Sequence, residues 1–281
     1  MKFAIGTVQF GIKYGINNQD GIPTINEIKK ILDLAISNNI TMLDTASGYG
    51  DAEIKIGNES KQRFKIVSKF SHVNDDKSLE FQLRNSIKNT QSKSLYAYIS
   101  HNANEIINNN ELWENLQKFK NKGLVNKIGF SLYEPVQLEI LLRKKIIPDL
   151  VQIPYSILDR KFEPFFDKLK KLNIEIHARS IFLQGLYFMN LNKLPQKLVD
   201  LKEPLTTINS YCVRNSISII DFALNFVYKN NNIDYVVLGI EKESQLKQNI
   251  DSIYNWDFDD TIFNIINTIN VDSYLINPSN W

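Results

Sequence analysis

The sequence predicts a closed parallel (β/α)8 barrel, a TIM barrel formed as a single domain over residues 1–281, and three observations carry that prediction. Short β-branched runs alternate with longer stretches of helical apolar period eight times. Parallel strands need crossover helices, so unbroken alternation means a parallel sheet with helices outside it. No linker-like stretch divides the 281 residues, a length that barrels reach without splitting. The rival, an open doubly wound sheet, would carry a dinucleotide-type glycine turn after its first strand. Gly6-Thr7-Val8-Gln9-Phe10-Gly11 has the wrong glycine spacing for that turn and, on this reading, is not followed at once by a helix.

The strands are expected at Phe3–Thr7, Thr41–Asp44, Lys65–Lys69, Tyr96–Ser100, Lys127–Ser131, Leu150–Ile153, Glu175–Ser180 and Tyr235–Leu238. Ile28, Ile31, Leu32 and Ala35 follow the cap-like Thr24 at helical spacing, and Leu112, Leu116 and Phe119 follow an Asn run. Asn38-Asn39 and Lys122-Gly123 are the stop signals that return the chain to the next strand. The stretch Pro195 to Lys229 is too long for one helix and is expected to hold an extra helical turn before Ser218–Lys229. Helices near Glu243–Tyr254 and Asp259–Ile269 close the chain. Runs such as Asn108-Asn109-Asn110 and Asn230-Asn231-Asn232 read as drift in exposed turns of a chain rich in Asn, Lys and Ile.

Composition excludes several classes of function. With 33 Lys+Arg against 31 Asp+Glu and no basic block, neither nucleic acid nor an anionic membrane surface is indicated as partner. A lone cysteine, Cys212, excludes an internal disulfide and a zinc site built on paired cysteines. The three histidines are scattered without ligand spacing, so no metal site is expected. No apolar run approaches a membrane span and the N-terminal apolar stretch is too short for a signal peptide, so a soluble, cytoplasmic protein is expected, with a monomer plausible.

Barrel chemistry sits at the C-terminal ends of the strands. There the second strand delivers Asp44, with Tyr49 in the loop that follows; the third delivers Lys69 and the fourth His101. Each has an ordinary structural role open to it: a helix cap, a loop aromatic, a snorkelling strand end, a rim histidine. Together they are harder to dismiss, because a lysine closing an apolar strand needs a counter-charge and Asp44 on the adjacent strand can supply one. His72 and His177 compete for the histidine role.

These residues resemble the aldo-keto reductase superfamily over nearly the whole chain. The likeness rests on Leu43-Asp44-Thr45-Ala46 with Tyr49-Gly50, on Ser68-Lys69 and on His101, at the strand positions of that family's catalytic tetrad. Gly6-Thr7 with Phe10-Gly11, Ile128-Gly129-Phe130-Ser131, Val151-Gln152, Arg179-Ser180 with Gly185-Leu186, and Gly239 with Gln245 and Asn249 extend it. The resemblance implies reduction of an aldehyde or ketone by hydride from a nicotinamide cofactor, with Tyr49 as proton donor. Tyrosine is a weak acid at its ordinary pKa of about 10, and a nearby ammonium favours the phenolate. On that expectation Lys69 acidifies Tyr49, Asp44 orients Lys69, and His101 donates to the carbonyl.

The resemblance also implies the cofactor contacts. Ser131 and Gln152 match positions that hold the nicotinamide carboxamide, although Leu132 stands where many members have Asn. Thr7 and Ser180 belong to the same set, and Arg179 falls where the family stacks an aromatic on the nicotinamide. With six arginines against 27 lysines in the chain, that arginine is the more informative. The segment Gly239 to Asn249 matches the loop and helix start that hold the adenosine 2'-phosphate. Gln245 replaces a common arginine there, leaving Lys242 as the cation. NADP(H) is therefore favoured over NAD(H), with Glu241 open as the partner of a free 2'-hydroxyl. Two other functions stay open: a Schiff-base aldolase using Lys69, and a cofactor-binding regulatory or redox-sensing barrel with little turnover. Short rim loops imply an open mouth, suited to a polar carbonyl such as a sugar or sugar nucleotide.

Overall fold

Eight parallel strands close in sequence order, β8 pairing back onto β1: β1 (Phe3–Gly6), β2 (Met42–Asp44), β3 (Lys65–Phe70), β4 (Leu95–Ser100), β5 (Val125–Ser131), β6 (Leu150–Pro154), β7 (Glu175–Arg179) and β8 (Tyr235–Gly239). The computed structural model describes residues 1–16, 18, 20–73, 75–253, 260–277 and 280. Each expected strand is present within a residue or two of its expected ends. The first crossover helix, Ile25–Ser37, begins as its capping pattern requires: the Thr24 side chain accepts from the Glu27 amide, and Asn38 and left-handed Asn39 end it.

Alternation along each strand sends every second side chain into the barrel. Ala4, Met42, Val67, Ala97, Ile99 and Leu150 form one apolar plug, distinct from the larger apolar shell between strands and helices. Asp44, Lys69 and Gln152 lie two residues beyond Met42, Val67 and Leu150, so the same inward face carries polar groups one layer nearer the mouth. The plug seals that layer from below.

Beneath the plug the Glu175 carboxylate accepts from Lys127, from the Tyr96 hydroxyl at 2.8 Å and pairs with His177 Nε2 at 2.6 Å. Burial pushes Glu175 up, but the hydrogen bond and charge of His177, followed by the bonds from Lys127 and Tyr96, outweigh it and bring the carboxyl down to about 2. A carboxyl whose folded pKa lies below its unfolded value, near 4.3, stabilises above that value and loses the contribution as pH falls toward the folded one. Glu175→Gln should therefore melt below the parent at pH 7, the two melting curves converging between pH 4 and 2. An equal gap at pH 7 and pH 3 in thermal circular dichroism would contradict this origin of stability.

Three expectations are corrected. The segment between β7 and β8 holds a full helix, Lys202–Arg214, ahead of Ile219–Tyr228, where only a turn was expected. Pro204 and the pair Thr206-Thr207 hide it in the sequence; proline is tolerated in a first helical turn, where its missing N–H has no partner to lose. A single helical turn, Val8–Gly11, follows β1 directly, while the crossover helix waits until Ile25. The Asn runs are not drift. Asn109 caps Asn110–Asn121 by accepting from the Glu111 amide, and Asn230 donates to the Tyr155 hydroxyl at 3.0 Å. The last two helices run over Glu243–Ser252 and Asp260–Thr268; the expected ends at Tyr254 and Asp259 lie outside the described residues.

Candidate functional site

At the C-terminal end of the strands lies a cavity of about 620 Å³, within the range of small-molecule sites. Asp44, Tyr49 and His101 line it. Lys69 stands just behind them, 1% exposed, its ammonium donating to Asp44 Oδ2 at 2.6 Å and to the Thr45 carbonyl at 2.9 Å. The other oxygen of Asp44 accepts from Gln152 Nε2 at 2.7 Å, so the buried carboxylate is satisfied on both sides. The Lys69 ammonium lies 5.2 Å from the centroid of the Tyr49 ring, and the His101 ring meets the same ring edge-on at 5.7 Å. Asp44, Tyr49, Lys69 and His101 are thus one cluster. His72 is exposed on a loop and His177 is buried inside β7, paired with Glu175 and absent from the cavity lining, so neither competes for the role of His101.

Close backbone packing places Tyr49. A Cβ on Gly11 would lie 1.8 Å from the Tyr49 carbonyl oxygen, and one on Gly50, at φ +57°, would lie 2.6 Å from the Gly11 carbonyl. Only glycine at both positions lets the turn after β1 press against the loop that carries the tyrosine. Thr7 adds a pin, its amide and hydroxyl both donating to the Asp44 carbonyl, at 2.9 and 3.0 Å.

The electrostatics differ from the sequence expectation at Tyr49. Burial first, then the Asp44 carboxylate, push its hydroxyl well above the ordinary value, with the Arg179 guanidinium pulling the other way. The Lys69 ammonium is turned to Asp44 and Thr45 and shares no hydrogen bond with Tyr49 among the described residues, so its influence on the hydroxyl acts through space only, from 5.2 Å off the ring centroid. Tyr49 therefore holds its proton at ordinary pH. Burial, followed by the charges of Lys69 and Arg179, holds the His101 imidazole down to about 4, so it is neutral there and keeps one N–H to donate. Lys69 is not placed as an aldolase nucleophile, since its amine is buried, committed to Asp44 and the Thr45 carbonyl, and does not line the cavity.

The remaining expected residues divide. Thr7, Ser131, Gln152, Arg179, Ser180, Gly239, Gln245 and Asn249 all line the cavity. Gln152 has one amide proton committed to Asp44, so it belongs first to the Asp44–Lys69 network and only secondarily to a ligand. Lys242 does not line the cavity: it is exposed and pairs with Asp20 at 2.8 Å. Its neighbour Glu241 does line it, with a carboxyl raised by burial. Gln245 folds back so that its Oε1 accepts from the amides of Glu241 and Lys242, and Glu27 Oε1 accepts from the Glu243 amide.

The sequence profile described as the aldo/keto reductase family matches residues 2–271. This chain belongs to the aldo-keto reductase family. No curated protein gives a significant match. Solved structures give many. An aldo-keto reductase from Bacillus halodurans, in its holo form, superposes with a TM-score of 0.75 at 18% identity, covering 95% of this chain and 91% of that one. A glycerol dehydrogenase from Gluconobacter oxydans gives 0.76 at 17% identity, covering 95% and 90%. At such identities the likeness shows the shared barrel.

Aldo-keto reductases use nicotinamide cofactors, and the cavity of this member fits one by the chemistry of its donor set. Ser131, Gln152 and Asn249 present hydroxyl and amide groups, and Gln9 Oε1 is a buried acceptor without a partner among the described residues. Gly239 keeps the wall open beside Gln9, since a Cβ there would lie 2.5 Å from Gln9 Nε2. Gln9 and Tyr133 are cavity residues that sequence reasoning missed. Gln9 had a legible signal, an amide set between Val8 and Phe10 right after a strand end. Tyr133 had none, because its place depends on Arg179 stacking over its ring at 4.4 Å.

Proposed function

We propose that this aldo-keto reductase interconverts an aldehyde or ketone and its alcohol with Tyr49 as the proton donor and acceptor. The observation that carries the reading is the Tyr49 ring flanked by the neutral His101 and by the buried Lys69–Asp44 pair, at one end of a cavity rich in amide groups. The bound nicotinamide supplies or accepts the hydride. His101 orients the carbonyl by donating its single N–H to the oxygen. Tyr49 keeps its proton until an alkoxide, a stronger base than a phenolate, develops within reach, and then gives it up. The negative charge left on Tyr49 falls between the Lys69 ammonium and the Arg179 guanidinium, which favour it. Asp44, braced by Gln152, keeps Lys69 in place through the cycle. The cavity's amide groups favour a hydroxylated carbonyl such as a sugar or sugar nucleotide.

On cofactor preference the reading moves from NADP(H) to NAD(H). Lys242 is held away by Asp20, and the amides at the start of Glu243–Ser252 already serve Gln245 and Glu27. A 2'-phosphate there would face the Glu241 carboxylate, whereas a free 2'-hydroxyl can donate to it. In fluorescence titrations NADH should bind about 10-fold or more tighter than NADPH, and Glu241→Gln should narrow the gap, mainly by strengthening NADPH. NADPH binding as tightly as NADH to the parent would refute the preference. The functional reading itself is tested by turnover of a carbonyl panel including sugars and sugar nucleotides, run with each cofactor; oxidation of neither cofactor by any carbonyl would refute it.

A further inference from the structure

Among the described residues Arg179 has no carboxylate partner, although it stands in the cavity wall at the end of β7. Arg63 pairs with Asp33 at 2.9 Å and Arg84 with Glu80 at 2.5 Å, while Arg143, Arg160 and Arg214 show only hydrogen bonds to neutral acceptors among the described residues and lie outside the cavity wall. Arg179 instead stacks on Tyr133 and donates from Nη1 to Ser180 Oγ at 3.2 Å and from Nη2 to the Leu132 carbonyl at 3.0 Å. These contacts fix the plane of the guanidinium and use two of its five N–H groups. Asp44 is already matched to Lys69 and Gln152. Asp159 feels the Arg179 charge but shares no hydrogen bond with it; its Oδ1 and Arg179 Nε are both buried without partners among the described residues, and Lys161 is the cation near its other oxygen, at 3.7 Å. A half-buried cation held rigid and left without an anion is costly unless a ligand completes it. The adjoining residue, Ser180, sits at φ +61°, a costly conformation for serine that persists where the surroundings or a function demand it.

We propose that Arg179 recognises an acidic group on the substrate, so that the physiological carbonyl compound is a carboxylate- or phosphate-bearing aldehyde or ketone. The inference rests on the carbonyl-reductase reading and narrows its substrate class. A planar guanidinium with both Nη atoms already anchored by one bond each is set to offer its remaining protons side by side, the geometry in which arginine meets carboxylate or phosphate. A bare clamp between β7 and the segment after β5 would explain the Leu132 and Ser180 bonds but would not need to stand in the cavity wall. A purely electrostatic aid to Tyr49 would act equally on neutral and acidic carbonyls, and the test separates the two.

The test uses matched pairs of carbonyls in the parent, Arg179→Met and Arg179→Lys. 4-Carboxybenzaldehyde is compared with its methyl ester, and glyceraldehyde 3-phosphate with glyceraldehyde, so that one arm reads carboxylate and the other phosphate. The quantity read is the ratio of kcat/KM, acidic over neutral, within each protein. It should be about 10- to 100-fold in the parent for at least one pair, expressed mainly in KM, and should fall to near unity in Arg179→Met. Arg179→Lys should keep part of it, retaining charge without the fork. Calorimetric titration of 4-(hydroxymethyl)benzoate and of glycerol 3-phosphate, each against its neutral counterpart, gives a readout independent of turnover. At least one acid should bind the parent more tightly than its neutral counterpart and lose that advantage in Arg179→Met. Ratios near unity for both pairs in a parent that reduces them would overturn the proposal, as would equal binding of acid and neutral alcohol in both arms. If the parent reduces none of the carbonyls, the reductase reading fails and the titrations alone decide the role of Arg179.

Discussion

Tyr49→Phe is expected to slow single-turnover hydride transfer to an accepted carbonyl by about 10²-fold or more, the scale on which general acid catalysis is lost. The substitution removes one oxygen and leaves the ring that His101 meets edge-on and Lys69 approaches, so packing, fold and cofactor affinity should persist. Because the parent hydroxyl is pushed up by burial and by Asp44, it is protonated at every ordinary pH. The parent's chemical step in the reducing direction should accordingly show no loss from Tyr49 ionisation between pH 6 and 9. The neutral His101, held down to about 4, should contribute no titration in that window either. Hydride transfer at the parent rate in cofactor-loaded Tyr49→Phe would refute Tyr49 as proton donor.

Asp44→Asn should cost about 3 kcal/mol or more of stability, the scale for removing one partner of a buried ion pair, and with it most of the catalytic rate. The carboxylate accepts from Lys69 on one oxygen and from Gln152 on the other, both within 2.7 Å, and the pair is almost wholly buried. An asparagine offers one oxygen and one NH2, so Gln152 must turn its own oxygen toward the new NH2 and the buried lysine loses its counter-charge. At the usual 2–4 °C per kcal/mol for proteins of comparable size, the melting temperature should drop by roughly 5–15 °C. Lys69→Met added to Asp44→Asn removes the stranded charge and should restore part of the stability without restoring activity, a non-additivity that a double-mutant cycle measures. If Asp44→Asn melts with the parent, the pair is not the buried anchor described here.

The barrel was legible because its signal is local. Eight strand patterns and their crossovers repeat along the chain, and closure follows from alternation without any particular long-range contact being known. Helix 202–214 escaped because Pro204, Thr206 and Thr207 lower its propensity, and packing overrides propensity. Asp44, Lys69 and His101 were legible as candidates for the same reason as the strands: each closes a strand run or directly follows one, and in this architecture strand ends converge on one rim.

What the sequence by itself determined is the set of side chains delivered to that rim; what each does there was decided by contacts between residues distant in the chain. Gln152 is drawn to Asp44, 108 residues away, and so joins the ion-pair network. Lys242 is turned outward by Asp20, and the Glu243 amide is taken by Glu27, 216 residues away, and on these two contacts the proposed preference for NAD(H) rests. The acidity of Tyr49 depends on burial and on the Asp44 carboxylate and Arg179 guanidinium around it, which spacing does not encode. Arg179 was conspicuous as a rare arginine, but that it lies over the Tyr133 ring with no carboxylate partner among the described residues is a property of the folded cavity alone. The physical reason is common to all four: backbone pattern is a sum of local preferences, whereas charge, protonation and hydrogen-bond allegiance are set by nearest neighbours in space, and the barrel brings those neighbours from opposite ends of the chain.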